Sequence, residues 1–463
     1  MINKKLCPVF VLASCLTAQA QTPEQADLLI SADYVVTMDE ADTVISDGAV
    51  AVRDGVIIAV GSADTIRNRY QAGQDINEPD SLLMPGLING HTHAAMTLFR
   101  GIADDMELMD WLTQYIFPAE IRFVDEHFIR VGTQLACLEM IKGGTTTFVD
   151  MYFHPQQIAE VVNECGLRAV IGAAVIEQES GYTTDFADAM AKAESFIRRW
   201  KDKNSRITPA IAPHATYTIG PKNLKTVRAR ANAHGVPVVM HISESQTELQ
   251  LVNEAYNNTP IKHLQEIGFL NGATIGAHIV WPTAEEIPLL VKYGVGAIHN
   301  PGSNMKMAAG LAPVPALLRQ GVRVGLGTDG AASNNDLDMW EEIRLAALLH
   351  KGHSLNPEIM PAGTVLQLAT RGGAGAVGLG NSIGSLVAGR RADLILVSLD
   401  AAHLVPLYDV ISHLVYAVDA QDVQTVIVDG KVLMHNRQVL TLNEKTVIAA
   451  ARAIAARIDQ AIR

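Results

Sequence analysis

The sequence predicts an α/β protein: a closed parallel barrel of eight strand–helix units beside a smaller β-rich unit assembled from both ends of the chain. Three observations carry this. Short apolar runs beginning at Leu82, Thr146, Ala169, Ile207, Val236, Thr274, Val295 and Val322 alternate with helix-length segments, and eight such alternations favour a closed barrel over an open sheet. β-rich stretches flank that middle on both sides. Histidines and an aspartate recur just after the strand runs, on the face where barrels gather their functional side chains.

Taken in order, the first twenty residues differ from the rest. Lys4 and Lys5 precede a mostly apolar Leu6–Leu16 stretch, and Ala18-Gln19-Ala20 has the small-x-small pattern of a cleavage site. Residues 1–20 are therefore expected to be a signal peptide, which places the mature chain in the periplasm or outside the cell. A second reading takes Leu12-Ala13-Ser14-Cys15 as a lipobox with Cys15 lipid-anchored; a retained leader implies a cytoplasmic protein. Residues 21–85 alternate apolar and polar, as in Leu28–Val36 and Val50–Val60, with turn signals at Asp54-Gly55 and Gly61-Ser62. They form the first part of a small antiparallel β unit. The barrel is assigned to residues 86–384, with its first strand at Leu82–Ile88. Residues 385–440 return to β texture, with strands Ala392–Val397 and Val423–Val428 and a turn at Asp429-Gly430. Neither flank has enough strands to stand alone, so the two are expected to pair. Residues 441–463 close the chain as an Ala-rich helix. Lys142-Gly143-Gly144 reads as a helix-ending turn.

Composition excludes several function classes. With 48% hydrophobic and 18% charged residues the chain is globular, and a net charge of −13 repels phosphate backbones, so no nucleic-acid partner is expected. No apolar run reaches the roughly 20 residues of a transmembrane span, and no fixed repeat appears. Of four cysteines, Cys7 and Cys15 fall in the leader. Cys137 and Cys165 lie in apolar helical segments and read as buried free thiols.

The chemistry sits after the strands. Strand one leads to His91-Thr92-His93, strand four to Pro213-His214 and strand five to His241 with Glu244 three residues on. Strands six, seven and eight lead to His278, His299 and Thr328-Asp329-Gly330. His91 and His93 are two apart in extended chain, so their rings point the same way. In a closed barrel strand one adjoins strand eight, which brings Asp329 beside them. Neutral imidazoles with one carboxylate suit zinc or another divalent metal.

At these residues the chain resembles the amidohydrolase superfamily, and within it the 5′-methylthioadenosine/S-adenosylhomocysteine deaminase group. The motifs are Met84–His93 (MPGLINGHTH), Gly144–Tyr152 (GTTTFVDMY), His241-Ile242-Ser243-Glu244, His299–Asn304 (HNPGSN) and Gly327–Asn334 (GTDGAASN). The resemblance implies a (β/α)₈ TIM-type barrel with a small β-sandwich domain formed by the N- and C-terminal segments. It implies one Zn²⁺ held by His91, His93, His241 and Asp329, with Glu244, His278 and Asp329 as catalytic residues. Trp111, Glu120, His214, Glu244 and Ser333 are implied to bind substrate, Glu120 through the ribose hydroxyls. The implied reaction is hydrolytic deamination of an adenosine-type nucleoside to its inosine analogue, with 5′-methylthioadenosine first, then S-adenosylhomocysteine or adenosine. The implied assembly is a homo-oligomer. Some members carry arginines in the loop after strand three; here that loop reads Glu177-Gln178-Glu179-Ser180-Gly181-Tyr182. The rival readings are a triazine chlorohydrolase, a guanine or pterin deaminase, and a non-catalytic binding protein on the same fold.

Overall fold

The computed structural model describes residues 23–462; the leader read from residues 1–20, with Cys7 and Cys15, lies outside the described residues. No helix among those described is long and apolar enough to cross a membrane.

The described strands form two sheets of eight. The first sheet takes β1 (Glu24–Val36), β2 (Val44–Arg53), β3 (Val56–Ser62) and β4 (Tyr70–Pro85) from the start of the chain. The second is the barrel: β5 (Leu87–Thr92), β6 (Thr145–Tyr152), β7 (Arg168–Val175), β8 (Ile207–Pro213), β9 (Val238–Ile242), β10 (Thr274–His278), β11 (Gly296–His299) and β12 (Arg323–Leu326). From the end of the chain β13 (Leu394–Ser398), β14 (Val423–Val428), β15 (Lys431–His435) and β16 (Gln438–Val439) complete the first sheet, in the order β16-β15-β14-β13-β4-β1-β2-β3. The two ends of the chain thus meet where β4 pairs with β13, Leu82 opposite Val397.

This sheet is mixed, whereas the sequence led us to expect antiparallel pairing throughout. β1 runs parallel to β4, with Tyr34 opposite Leu82. Between β3 and β4 lies a helix, Ala63–Arg69, where Gly61-Ser62 read as a turn. Ser62 is its N-cap, its Oγ accepting the Thr65 N–H at 3.4 Å. A helical crossover returns the chain in its original direction, which is what a parallel neighbour requires. β1 is covered on both faces: Leu28 and Ile30 join one apolar cluster, while Leu29 packs with Ile66 of the helix in another.

The Leu82–Ile88 run is two strands. Leu82 to Pro85 ends β4, and the barrel begins at Leu87. Gly86 is the corner, its N–H donating to Asp393 O at 3.1 Å, while Leu87 N–H donates to Gly144 O at 3.0 Å. Both sides of the corner are buried, so hydrophobicity gives no sign of the change of sheet.

Two hairpin turns, one from each end of the chain, stack on each other. Asp54-Gly55 and Asp429-Gly430 are both left-handed pairs, at φ 54° and 72° and at 55° and 74°, the type I′ geometry that asparagine or aspartate followed by glycine supplies. Arg391 pairs with Asp429. A buried fork, Arg168 Nε to Asp393 Oδ2 at 2.6 Å and Arg168 Nη2 to Asp429 Oδ1 at 3.1 Å, fixes the start of β7 to this sheet.

The barrel strands run parallel in chain order, and Ile88, Val149, Val170, Val239, Ile275 and Ile298 belong to one buried apolar cluster. No backbone ladder joins β12 to β5 among the described residues. Their seam is closed beyond the strands: Asp329 N–H donates to His91 O at 2.9 Å. Asn89 Nδ2 donates to Thr328 Oγ1 at 2.7 Å, and Thr328 N–H to Asn89 Oδ1 at 3.0 Å. At Gly327 the backbones approach so closely that a Cβ would lie 2.7 Å from His91 N. The Glu126–Gly143 helix ends at Gly144, φ 84°, as read from Lys142-Gly143-Gly144. Cys137 and Cys165 are buried free thiols with their sulfurs 2.7 Å apart.

Gly327→Ala should cost about 1–3 kcal/mol through overpacking, seen as a lower thermal midpoint. Gly352, in a helix with nothing within 4 Å of its would-be Cβ, is the control: its alanine variant should gain about 0.5–1 kcal/mol.

Candidate metal centre

Four side chains from three strand ends converge. His91 Nε2 and His93 Nε2 each lie 3.2 Å from Asp329 Oδ1, and His93 Nε2 lies 3.3 Å from His241 Nε2. The four donor atoms fall within 4.8 Å of one another. A tetrahedral site with bonds of ~2.0–2.1 Å separates its donors by about 3.3 Å, so the spacing suits a small divalent ion.

The hydrogen bonds behind these atoms aim them inward. His93 Nδ1 faces Met151 O at 2.6 Å and His241 Nδ1 faces His214 O at 3.0 Å. Each Nδ1–H donates to its carbonyl, leaving the Nε2 lone pair directed into the cluster. Asp329 Oδ2 accepts from Ser303 Oγ and Ser333 Oγ, both at 2.7 Å. Its other oxygen, Oδ1, and His91 Nε2 are buried without a hydrogen-bond partner. Orphaned buried acceptors cost free energy unless something cationic meets them, and a divalent metal meets both. The donor set therefore fits the metal the sequence implied. A second group, His403, Asp419 and Asp422, is more open, and its aspartates cap the Ala420–Asp422 turn.

The backbone supports this placement at some strain. Ser243, His278 and Asp329 all have positive φ, at 52°, 72° and 65°. Non-glycine residues in this region are strained, and such strain collects at functional sites. Asp150 holds the turn after β5, its Oδ1 accepting from Ala94 N–H at 2.6 Å and Thr92 Oγ1 at 3.2 Å.

A cavity of about 250 Å³ opens over the cluster, lined by His93, His241 and Asp329 and by Glu244, His278, His214, Trp111, Glu120 and Ser333. Of the ten residues expected at the site, only His91 is absent from the lining; it lies behind, fully buried. Glu244 Oε1 and His278 Nε2 are 3.8 Å apart. His278 Nδ1 meets both an acceptor, Asn304 Oδ1 at 2.9 Å, and a donor, Asn300 Nδ2 at 3.2 Å, so either tautomer finds a partner. The Trp111 indole donates to Ala103 O at 3.1 Å. Glu120 accepts from Tyr152 Oη at 2.7 Å.

Sequence reasoning gave no role to Tyr152, Asp150, Ser303 or Asn304, although each lies in a quoted motif. It missed Glu248 altogether. Ser245 and Glu248 have capping-box spacing, and Ser245 Oγ does accept the Glu248 N–H at 3.1 Å. Glu248 itself accepts from Glu244 N–H at 2.8 Å and Thr216 Oγ1 at 2.6 Å, tying the loop after β9 to the loop after β8.

Burial lowers the pKa of His91 to about 4 and holds His241 well below the usual histidine range, which keeps both in the neutral, ligating form. At His93 burial acts the same way, but the Asp329 carboxylate beside it overrides burial and raises the pKa to about 9; a divalent cation at Asp329 competes with that proton. Glu244 is raised by desolvation, whereas Asp329 is held well below the carboxylate range despite its burial, by His91 and His93. Burial raises Glu120 from 4.5 to about 7, against the Tyr152 hydrogen bond.

Three outcomes are expected. His91→Ala should lower metal content by elemental analysis, and the Ser303→Ala/Ser333→Ala pair should weaken metal affinity by about 10–100-fold. For Glu120, the unfolded chain loses its proton near 4.5 and the folded chain near 7, so its contribution to stability is complete below the lower value and is lost as pH rises through the higher. Glu120→Gln should flatten part of the fall in thermal midpoint across that window.

The sequence pattern described as "Amidohydrolase family" matches residues 82–433, and one described as "Imidazolonepropionase-like composite domain, bacteria" matches residues 48–70. A 5-methylthioadenosine/S-adenosylhomocysteine deaminase from Syntrophobacter fumaroxidans is 45% identical over 93% of this chain and 98% of its own. A 5′-deoxyadenosine deaminase from Methanosarcina barkeri is 44% identical over 92% of this chain and 97% of its own. The crystal structure of an adenosine deaminase from Xanthomonas campestris, with bound zinc, superposes with a TM-score of 0.93 at 39% identity, covering 95% of this chain and all of the other. In pattern, sequence and fold alike, the chain belongs to the amidohydrolase family.

Proposed function

We propose that this protein is a zinc-dependent aminohydrolase that converts an adenosine-type nucleoside to its inosine analogue with release of ammonia. The observation that carries it is the meeting of three imidazoles and one aspartate beneath a cavity that also holds Glu244 and His278. Relatives at 45% and 44% identity bear nucleoside deaminase names, which favours this reading over triazine, guanine or pterin chemistry. An intact ligand set speaks against a non-catalytic barrel. The leader's composition supports a periplasmic or secreted location.

Displacing an amino group from a purine needs a nucleophile, a proton for the ring nitrogen and a proton for ammonia. His91, His93, His241 and Asp329 would hold a zinc ion, which would supply the activation that makes water a nucleophile near neutral pH. The chain's carboxylates divide the proton work. Glu244, its pKa raised by burial, is biased toward the acid form and gives its proton to the ring nitrogen. Asp329, held ionised by two imidazoles, would receive the proton that water releases and pass it to the departing amino group, while Glu244 would recover its proton from the hydroxyl as the C–N bond breaks. Two carboxylates pushed in opposite directions mark an acid and a base. His278, oriented through Nδ1 by Asn304 and Asn300, presents Nε2 to the cavity and aligns the attacking oxygen. Glu120 accepts from the sugar hydroxyls once its own proton has left, and Trp111 and His214 wall the purine.

Purine nucleosides screened for ammonia release, with metal measured on the same sample, test the proposal; a metal-loaded protein inert toward all of them would refute it. Glu244→Gln should retain metal and lose about 10²–10⁴-fold in kcat.

A further inference from the structure

Resting on that nucleoside reading, we infer that the cavity selects substrates whose 5′ substituent is uncharged and apolar, and discriminates against anionic 5′ groups. A purine with its amino-bearing carbon at Glu244 and His278 carries its sugar away from the metal cluster. The lining it meets is apolar: Leu108, Trp111, Ile116, Phe117, Ile121 and Phe153. The polar exceptions in that part are Glu120, Gln178, Glu179 and Ser180, and no lysine or arginine lines the cavity among the described residues.

Two of the nearby donors and the nearest cations are already engaged. The Trp111 indole N–H is given to Ala103 O at 3.1 Å and the Tyr152 hydroxyl to Glu120 at 2.7 Å. Lys192, behind the loop after β7, donates to Asp188 at 2.9 Å and to Tyr182 O. Arg122 donates to Ala461 O at 2.8 Å. A phosphate or carboxylate brought against this lining loses part of its hydration without gaining a cationic partner, and it faces Glu120 and Glu179. The ammonium of an amino-acid tail can meet Glu179, but its carboxylate meets nothing of opposite sign. A methylthio or deoxy terminus has no charge to desolvate and buries apolar surface instead.

The test compares kcat/KM of the metal-loaded enzyme on 5′-methylthioadenosine, 5′-n-butylthioadenosine, S-adenosylhomocysteine and adenosine 5′-monophosphate. The butylthio compound approaches the homocysteine tail in length but carries no charge. It should stay within about tenfold of the methylthio compound, while S-adenosylhomocysteine falls about tenfold or more below it and the monophosphate about 100-fold or more. Gln178→Arg should narrow the gap for both charged substrates; an unchanged gap counts against charge as the cause. Equal turnover of charged and neutral tails overturns the inference, and so does a butylthio compound as poor as S-adenosylhomocysteine, which would make length the determinant. If no nucleoside releases ammonia, the functional proposal itself has failed; turnover without charge preference removes this inference alone.

Discussion

The site exists because two strands more than two hundred residues apart in sequence are made neighbours without sharing a ladder. His91 and His93 leave β5, Asp329 follows β12, and only closure of the barrel brings them within 3.2 Å. That closure rests on a few groups: the Asn89 amide bonded twice to Thr328, the Asp329 N–H on the His91 carbonyl, and a glycine at 327 that lets the backbones touch. The bond that closes the seam and the carboxylate that serves the cluster belong to one residue. Asp329 is thus structural through its backbone and chemical through its side chain, and its left-handed φ of 65° is the conformation that lets it be both.

Around the rim, carboxylates repeat a single device, two of them, Glu248 and Glu342, buried and Glu177 half-buried. Glu248 joins the loops after β8 and β9, Glu342 accepts from Gly302 N–H at 3.0 Å and Asn334 Nδ2 at 2.8 Å, and Glu177 accepts from Gly220 N–H at 2.8 Å and Asn223 Nδ2 at 2.7 Å. Each holds two loops to one geometry through paired acceptor bonds. Loops carry the chemistry of a barrel while its strands supply rigidity, and here the loops borrow rigidity from one another. Burial raises Glu248 to about 7 and Glu342 well above the usual glutamate range, so these clamps do not sit as free surface charges.

The barrel and the metal cluster were legible because their signals are scarce: apolar runs recurring eight times, and histidines placed just past them. Glu248 was not legible, since a glutamate three residues after a serine looks the same whether it caps its own helix or reaches across to Glu244. Ser303 and Asn304 stood in a recognised motif, but nothing in their type separates a turn residue from the support of Asp329 or His278. The boundary at Gly86 was hidden for another reason. Hydrophobic patterning reports burial, and it cannot tell which of two sheets does the burying. The helix after Ser62 is too short for its periodicity to stand out, and with it went the parallel pairing of β1 and β4.

The pairing of β4 with β13 sets an order of events for the nascent chain. One edge of β4 has its partner, β1, a few tens of residues upstream. Its other edge waits for a partner encoded some three hundred residues later. Until then the apolar end of β4, Leu82–Pro85, stands open to any extended segment, the circumstance in which chains pair with the wrong neighbour. Arrival of Leu394–Ser398, rather than completion of the barrel, is therefore the event that covers this edge.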